Sequence, residues 1–343
     1  MKNYLIILLV ALLMVSCTPA AETTGQDFID DAGRTVRLPA TITKVSPSGN
    51  PAQIILYTIA PEKLLNWAQK PGGAIAEYMD ETYVNLPEFG AFYSKNSNLN
   101  LEELIKAAPD LIIDIGEKKS DVAEQMDNIQ TQTGIPTIFI EAELESMPQA
   151  FRKLGELLDE PERAEAQAKY MEETIQLAND YRNKITQPVR VYYGLGMDGM
   201  EANAKGSVHA DILEFVGLEN VAVIENTQGS ATNVVSPEQI LQWAPEALLF
   251  DSGSVYPNLS SDPFFSELVL PAYESPSGPY NWIGRPPSVN RYLGIKWLGQ
   301  VFYPEVYNLD LVKEAQEFYQ LFYHYDLSEE KAIELLGDSL KSK

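Results

Sequence analysis

Two segments of this chain are written to one plan. Leu101–Gly116 reads LEELIKAAPDLIIDIG and Pro237–Gly253 reads PEQILQWAPEALLFDSG. Glu102 falls opposite Glu238, and Ala108-Pro109-Asp110 opposite Ala244-Pro245-Glu246, both at an offset of 136 residues. Each copy is a short helical run, then Ala-Pro and an acid, then an apolar strand and a loop. One copy would constrain little, because helix, proline and strand in that order are ordinary α/β grammar. Two in register point to two similar α/β lobes, with the loops at their strand ends free to build something between them.

The first residues bear on where such lobes reside. Lys2 is a minimal basic start, and Tyr4–Val15 is an apolar stretch of about a dozen residues, short of the roughly 20 that a spanning helix needs. It reads as the core of a signal peptide. The stretch runs into Met14-Val15-Ser16-Cys17, which resembles a bacterial lipobox with Met where Leu is commoner. Cys17 is the one cysteine of the chain, so no disulfide framework exists. Its place directly after the apolar run favours lipidation over a secretory signal with an incidental thiol. Thr18–Gln26 is small and polar, as a tether would be. Residues 1–16 are thus expected to be a lipoprotein signal peptide and 17–26 a lipidated tether.

About 320 residues follow, enough for two packed domains. A hydrophobic content of 45% excludes a disordered chain. With 49 acids against 25 bases the formal net charge is −24, which opposes nucleic-acid binding and adhesion to anionic lipid. An acidic surface that keeps an exported protein soluble accounts for it.

Asp31–Val36 looks like a hairpin entry, Ile42–Val45 like a short strand, and Asn50-Pro51 like an N-cap and first-turn pair for a helix reaching Ile59. Ile135–Ile140 is a further buried strand, and strands alternating with helices predict parallel sheets. Pro161–Ile185 is different: 25 residues without Gly, led by its single Pro, with apolar side chains at Ala164, Ala168, Met171, Ile175 and Ala178. Lying between the two copies, it is expected to be a helical strut, the plain alternative being a long helix within one domain. Val189–Gly194 then opens the second lobe, and Leu309–Tyr325 and Ser328–Leu340 are terminal helices. The expected organisation is an N-terminal lobe at 27–159, a linking helix at 160–186 and a C-terminal lobe at 187–343. The fold class is α/β: two Rossmann-like lobes with central parallel sheets joined by one long α-helix.

Taken together, Asp31–Val36, Asn100–Leu104 leading to Pro109–Ile113, Ser236–Ile240 leading to Ala244–Glu246, the strut and Cys17 resemble the substrate-binding lipoproteins of bacterial ABC importers. The resemblance is to the rigid-linker class that includes ferric-siderophore, haem and vitamin B12 binders. It runs from about Asp30 to Pro304 and implies an extracytoplasmic protein, anchored to the membrane through its lipid, monomeric and without a cofactor of its own. It implies a metal chelate held between the lobes, or alternatively a molybdate or tungstate oxyanion. It also implies that Glu102 and Glu238 dock against arginines of the permease. Each acid sits early in its helix, where the dipole tolerates it, so simple N-terminal charging is the competing account.

With the ligand expected between lobes, the loops after the opening strands become candidates. Ser48 and Asn50 lead into one helix N-terminus, and Ser207 and His209 lie where the second begins. Ordinary capping would explain either loop. From Gly206 to Gly284 the chain carries ten acids and no Lys or Arg, and then comes GPYNWIGRPPS. Arg285 offers a planar donor fork suited to carboxylate-like oxygens, and Tyr280, Asn281 and Trp282 offer flat faces and an amide. The alternative is an arginine pairing with a nearby acid to pin the loop. The NW…RPPS segment is similar to those of iron-complex members and of relatives that take molybdate or tungstate. Tyr93, in Phe89–Ser94, is the expected contribution of lobe one.

The rival class, a secreted metal-dependent enzyme, finds little support. His209 and His324 are the two histidines and lie far apart, and the chain has no HExxH, GxSxG or Walker A pattern. No catalytic residue and no bare-metal ligand set is expected.

Overall fold

The computed structural model describes residues 25–93, 99–224 and 232–337. The apolar leader, Cys17, most of the tether and Ser94 lie outside them. Among the described residues no helix is long and apolar enough to cross a membrane.

Lobe one begins with an antiparallel hairpin, β1 (Gln26–Ile29) and β2 (Thr35–Leu38). Buried Asp30 holds its turn by accepting from the Arg34 backbone N–H and guanidinium, at 2.8 and 2.9 Å. The parallel sheet of this lobe runs β3 (Val45–Pro47), β4 (Leu111–Gly116), β5 (Thr137–Glu141). Its opening strand starts at Val45, not at the expected Ile42, and Asp110 is the reason. The Asp110 carboxylate takes the N–H groups of Thr43 and Lys44, at 2.7 and 2.9 Å, which removes them from any ladder. Among the described residues the α-helices of the lobe are α1 (Asn50–Ile59), α2 (Glu81–Val84), α3 (Leu101–Ala107), α4 (Val122–Thr133) and α5 (Met147–Leu157). The N-cap of α1 is Gly49, without a side-chain cap, and not Asn50, whose amide instead donates to Gln69 Oε1 at 2.9 Å.

α6 (Pro161–Arg182) has 22 residues, so it spans about 33 Å. It stops three residues before the expected Ile185, where a turn takes over. Its buried stripe is mostly Ala164, Ala168, Met171 and Ala178, small enough to let α5 lie close. At the tightest point a Cβ on Gly155 would collide with the Cβ of Ala164.

Lobe two follows as β6 (Arg190–Leu195), β7 (Glu201–Ala202), α7 (Asp211–Phe215), β8 (Glu219–Asn220), β9 (Asn233–Val234), α8 (Pro237–Trp243), β10 (Ala247–Phe250), α9 (Phe265–Leu268) and β11 (Ala272–Glu274). The chain ends in α10 (Asn290–Phe302), α11 (Pro304–Tyr307), α12 (Leu311–Tyr323) and α13 (Glu329–Leu336). β11, β10, β6 and β8 are parallel; β7 and β9 extend the sheet antiparallel. The duplication is carried by the backbone: β10 pairs β6 from Ala247↔Val191 as β4 pairs β3 from Leu111↔Val45. In each lobe the acid after Ala-Pro accepts from the chain entering the opening strand, Glu246 from Arg190 N at 3.0 Å as Asp110 does from Thr43 and Lys44.

The largest apolar cluster is continuous across both lobes, from Ile54 and Ile113 through Met171 to Tyr193, Trp297 and Phe318. Two smaller clusters lie on the outer faces of the sheets, around Phe139 in lobe one and Phe250 in lobe two. The lobes are therefore fused by a shared apolar core and not merely tied by a helix.

Candidate ligand-binding site

Parallel strands leave their C-terminal ends and the following helix N-termini on one edge of a sheet, and ligands gather there. In this chain that edge of the lobe-one sheet faces a cavity of about 850 Å³. Lobe one supplies most of its wall, and lobe two adds Val208, His209, Pro287 and Arg291.

On the lobe-one side, Ser48 and Asn50 flank the start of α1, and Tyr93 stands 43% exposed at the mouth. Because Gly49 caps α1 without a side chain and no acid lies in the first turn, the positive end of the helix faces the cavity unneutralised. Beside it Asp114, the polar interruption of β4, accepts the Ser48 hydroxyl. Withdrawal from water pushes the Asp114 carboxyl above the ordinary carboxylate range, and the Ser48 hydrogen bond draws it part of the way back. Glu88, Glu117 and Glu143 bring further negative charge to the wall, against Lys119 and Arg291.

On the lobe-two side, His209 is held by its Nδ1, which lies 2.8 Å from the Gly284 carbonyl oxygen. A carbonyl accepts only, so Nδ1 carries a proton, and in the neutral form of the ring the lone pair is on Nε2. The approach needs glycine, since a Cβ at Gly284 would come within 2.6 Å of the His209 carbonyl. His209 can thus accept a hydrogen bond from a ligand or donate a lone pair to a metal that the ligand carries. Arg291, on α10, is buried and forms an ion pair with Asp211, while its Nε has no partner among the described residues.

Of the residues singled out in the sequence, Ser48, Asn50, Tyr93 and His209 meet at this cavity. Ser207, Tyr280, Asn281, Trp282 and Arg285 are not part of its lining. Ser207 accepts from the His209 backbone at 3.3 Å and so shapes the turn before α7. That turn delays the helix to Asp211, past the expected His209. Trp282 is fully buried, its indole N–H donating to Gly278 O at 3.2 Å, and Tyr280 is 8% exposed. These two rings are core, not flat faces open to a ligand. Asn281 donates to Asp251 and Ser275 and accepts from the N–H groups of Ile283 and Gly284, which fixes the loop that holds His209. Arg285 lies near enough to Asp251 to lower its otherwise raised pKa, so the arrangement resembles the loop pin. Glu102 and Glu238 are both exposed, on α3 and α8.

Sequence reasoning passed over Asp114 and Arg291. Both had the same signal, a charge inside an apolar run: LIIDIG for one, NRYLGIKWL for the other. A charged residue so placed is rarely buried without a partner or a task.

Among the described residues no group of three or more His, Cys, Asp or Glu side chains could hold a metal ion.

The comparisons with known proteins agree with this architecture. The vitamin B12-binding protein of Salmonella typhi is 29% identical over 153 residues, which is 44% of this chain and 54% of that protein. The chain thus spans about half the length of the curated relatives it matches. Among solved structures, an ABC transporter solute binding protein from Sulfurospirillum deleyianum superposes with a TM-score of 0.81 at 24% identity, over 90% of this chain and 98% of that one. A periplasmic solute binding protein from Veillonella parvula gives 0.73 at 24% identity, over 92% and 98%. The molybdate-bound MolA of Haemophilus influenzae gives 0.67 at 18% identity, over 88% and 99%. At such identities the likeness is one of fold. The periplasmic binding protein family model matches residues 76–269, more than half of the sequence, and the chain belongs to that family.

Proposed function

We propose that this protein is the extracytoplasmic receptor of an ABC importer. It captures a metal complex between its lobes and delivers it to the permease, performing no chemistry itself. Cys17 carries the lipid that keeps it at the membrane, and Glu102 and Glu238 are its docking acids. The observation that carries the ligand reading is the cavity: about 850 Å³, walled by both lobes and rich in carboxylates. That volume is far more than a tetrahedral oxyanion fills, and it lies within the range of sites that enclose whole organic ligands. Carboxylates from Glu88, Asp114, Glu117 and Glu143 against Lys119 and Arg291 favour a neutral or cationic complex over an anionic one. A corrinoid stands first on the strength of the name of the curated relatives, followed by a ferric siderophore and haem. His209 Nε2 is then the group facing the metal or an amide of the ligand.

A second reading, an oxyanion such as molybdate, has one observation in its favour. The α1 N-terminus, which carries no side-chain cap and lines the cavity, is anion-compatible. Melting the mature protein with cyanocobalamin, a ferric trihydroxamate, haemin or molybdate separates the two. A ligand at a hundred times its Kd adds about 2.7 kcal/mol. Stabilisation by one of the first three, recovered chemically unchanged, is the expected result. A response to molybdate alone would replace this reading with the second, and none at all would remove both. Mass spectrometry of the mature protein tests the anchor: cleavage elsewhere with an unmodified Cys17 would sink it.

A further inference from the structure

Each docking acid has an exposed aliphatic neighbour at the same place in the repeat. α3 and α8 are both seven residues long, with N-caps Asn100 and Ser236 accepting from Glu103 N and Gln239 N at 3.2 and 3.3 Å. Both end on an alanine in the left-handed region, Ala108 at φ 49° and Ala244 at φ 46°, a conformation unfavourable for any residue but glycine. Each helix turns one aliphatic residue inward, Leu104 and Ile240, and leaves the next one outside. Those are Ile105, 42% exposed, and Leu241, 57% exposed. They follow Glu102 and Glu238 by three residues, so in each helix acid and aliphatic share a face. Neither acid makes an ion pair among the described residues, whereas neighbouring Glu103 is engaged by Lys106 at 3.6 Å.

A lone exposed aliphatic needs no explanation. Two of them in one register of a duplicated helix, each beside a duplicated unpaired acid, form the same small surface twice. We propose that Glu102 with Ile105 and Glu238 with Leu241 are two equivalent docking points. Their partner is a two-fold symmetric permease dimer that presents a basic side chain beside an apolar socket on each half. The inference rests on the docking role proposed above and assigns within it the residues that keep the complex together. A partner built of two identical subunits offers one surface twice, which is what a receptor with one surface in each of two lobes can engage. The acids govern encounter with a basic face, helped by the net charge of −24. The aliphatic side chains lose water only on contact, so they slow release.

The test uses the full mature protein and the ABC permease complex of its host in nanodiscs, followed by interferometry. Ile105→Ala and Leu241→Ala should each dissociate about five- to tenfold faster, with association and its salt dependence unchanged. Glu102→Gln and Glu238→Gln should mainly slow association. Val269→Ala, at a residue 88% exposed and outside the repeat, is the control and should behave as wild type. All of these positions are exposed, so melting temperatures should match and loss of fold will not imitate the result. Release of both aliphatic variants at the wild-type rate would overturn this inference alone, and an effect in one lobe only would overturn the equivalence. A wild type that does not bind the complex would remove the docking reading beneath it.

Discussion

In lobe one Asp114, the fourth residue of β4, faces the cavity and accepts the hydroxyl of Ser48. In lobe two Asp251, the residue after β10, stands at nearly the same place in the repeat but is not part of the cavity lining. It accepts from Asn281, from Ser275 and from its neighbour's backbone N–H, with Arg285 close by. Burial raises the pKa of both carboxyls, and Arg285 offsets that for Asp251. One copy of the strand end has kept its acid toward the ligand space; the other has given it to the loop that positions His209. Duplicated frameworks do not duplicate their sites, because strand-end loops are free to diverge while the strands are not.

The difference should be greatest for the rings of the two lobes. Trp282 has no exposed surface, and Trp282→Ala should lower unfolding stability by about 3–5 kcal/mol in denaturant titration. Tyr93, 43% exposed, should tolerate Ala within about 0.5 kcal/mol while weakening ligand binding. A Trp282→Ala cost below about 1 kcal/mol would mean that the 278–287 loop is not core, and the comparison would fail.

The acids come next. Asp251→Ala leaves one N–H of the Asn281 amide without its acceptor while Ser275 keeps the other, and an unsatisfied buried donor costs about 1–3 kcal/mol. It should also release His209 and so weaken ligand binding. Arg285→Ala should act in the same direction more weakly; a loss of affinity without loss of stability would instead make Arg285 a ligand contact. Asp114→Asn should do the opposite and raise the melting temperature at neutral pH. The sign follows from the raised pKa. Ionised Asp114 is penalised in the folded state above its folded pKa, and below the ordinary aspartate pKa it is protonated folded and unfolded alike. The gain from Asn should therefore be present near pH 7 and fade as pH falls through the carboxylate range. A melting temperature unchanged at pH 7 would place Asp114 in ordinary solvent.

The framework was readable because it is local and repeated. The α3–β4 and α8–β10 units need only propensity, a proline and an apolar run, and α6 advertises itself by length. The site was half readable for a matching reason. Ser48 and Asn50 follow the end of β3, where chemistry collects on any parallel sheet, and His209 stands just before α7. Arg285 and Trp282 misled because an aromatic, Gly- and Pro-framed loop has the composition of a binding loop and of a buried plug alike. What tells them apart is what α10 and α12 cover, as when Tyr319 of α12 reaches Gly278 O, and that is long-range packing. Arg291 was hidden because its partner, Asp211, lies 80 residues away.

The smallest effect concerns shape. A single linking helix would already resist hinge bending, and the structure adds three braces. Gln167 of α6 donates to Thr58 O of lobe one at 2.7 Å and to Leu321 O of α12 at 3.0 Å. α12, which follows lobe two in the chain, sends Tyr319, Phe322 and Tyr323 against Tyr78, Phe151 and Tyr57 of lobe one, with ring centroids 5.1–6.5 Å apart. Tyr292 of α10 donates to Leu144 O at 2.6 Å across the same junction. Opening or closing the cleft would part this shared apolar core, and packed interiors lose contact energy steeply when gaps open. Solution scattering should therefore show no resolvable change in radius of gyration when ligand is added. Gln167→Ala, which deletes the bridge between lobe one and α12, should be the variant in which a change first appears. A clear contraction of the wild type on binding would show that the shared core yields, and that the two lobes move as separate bodies.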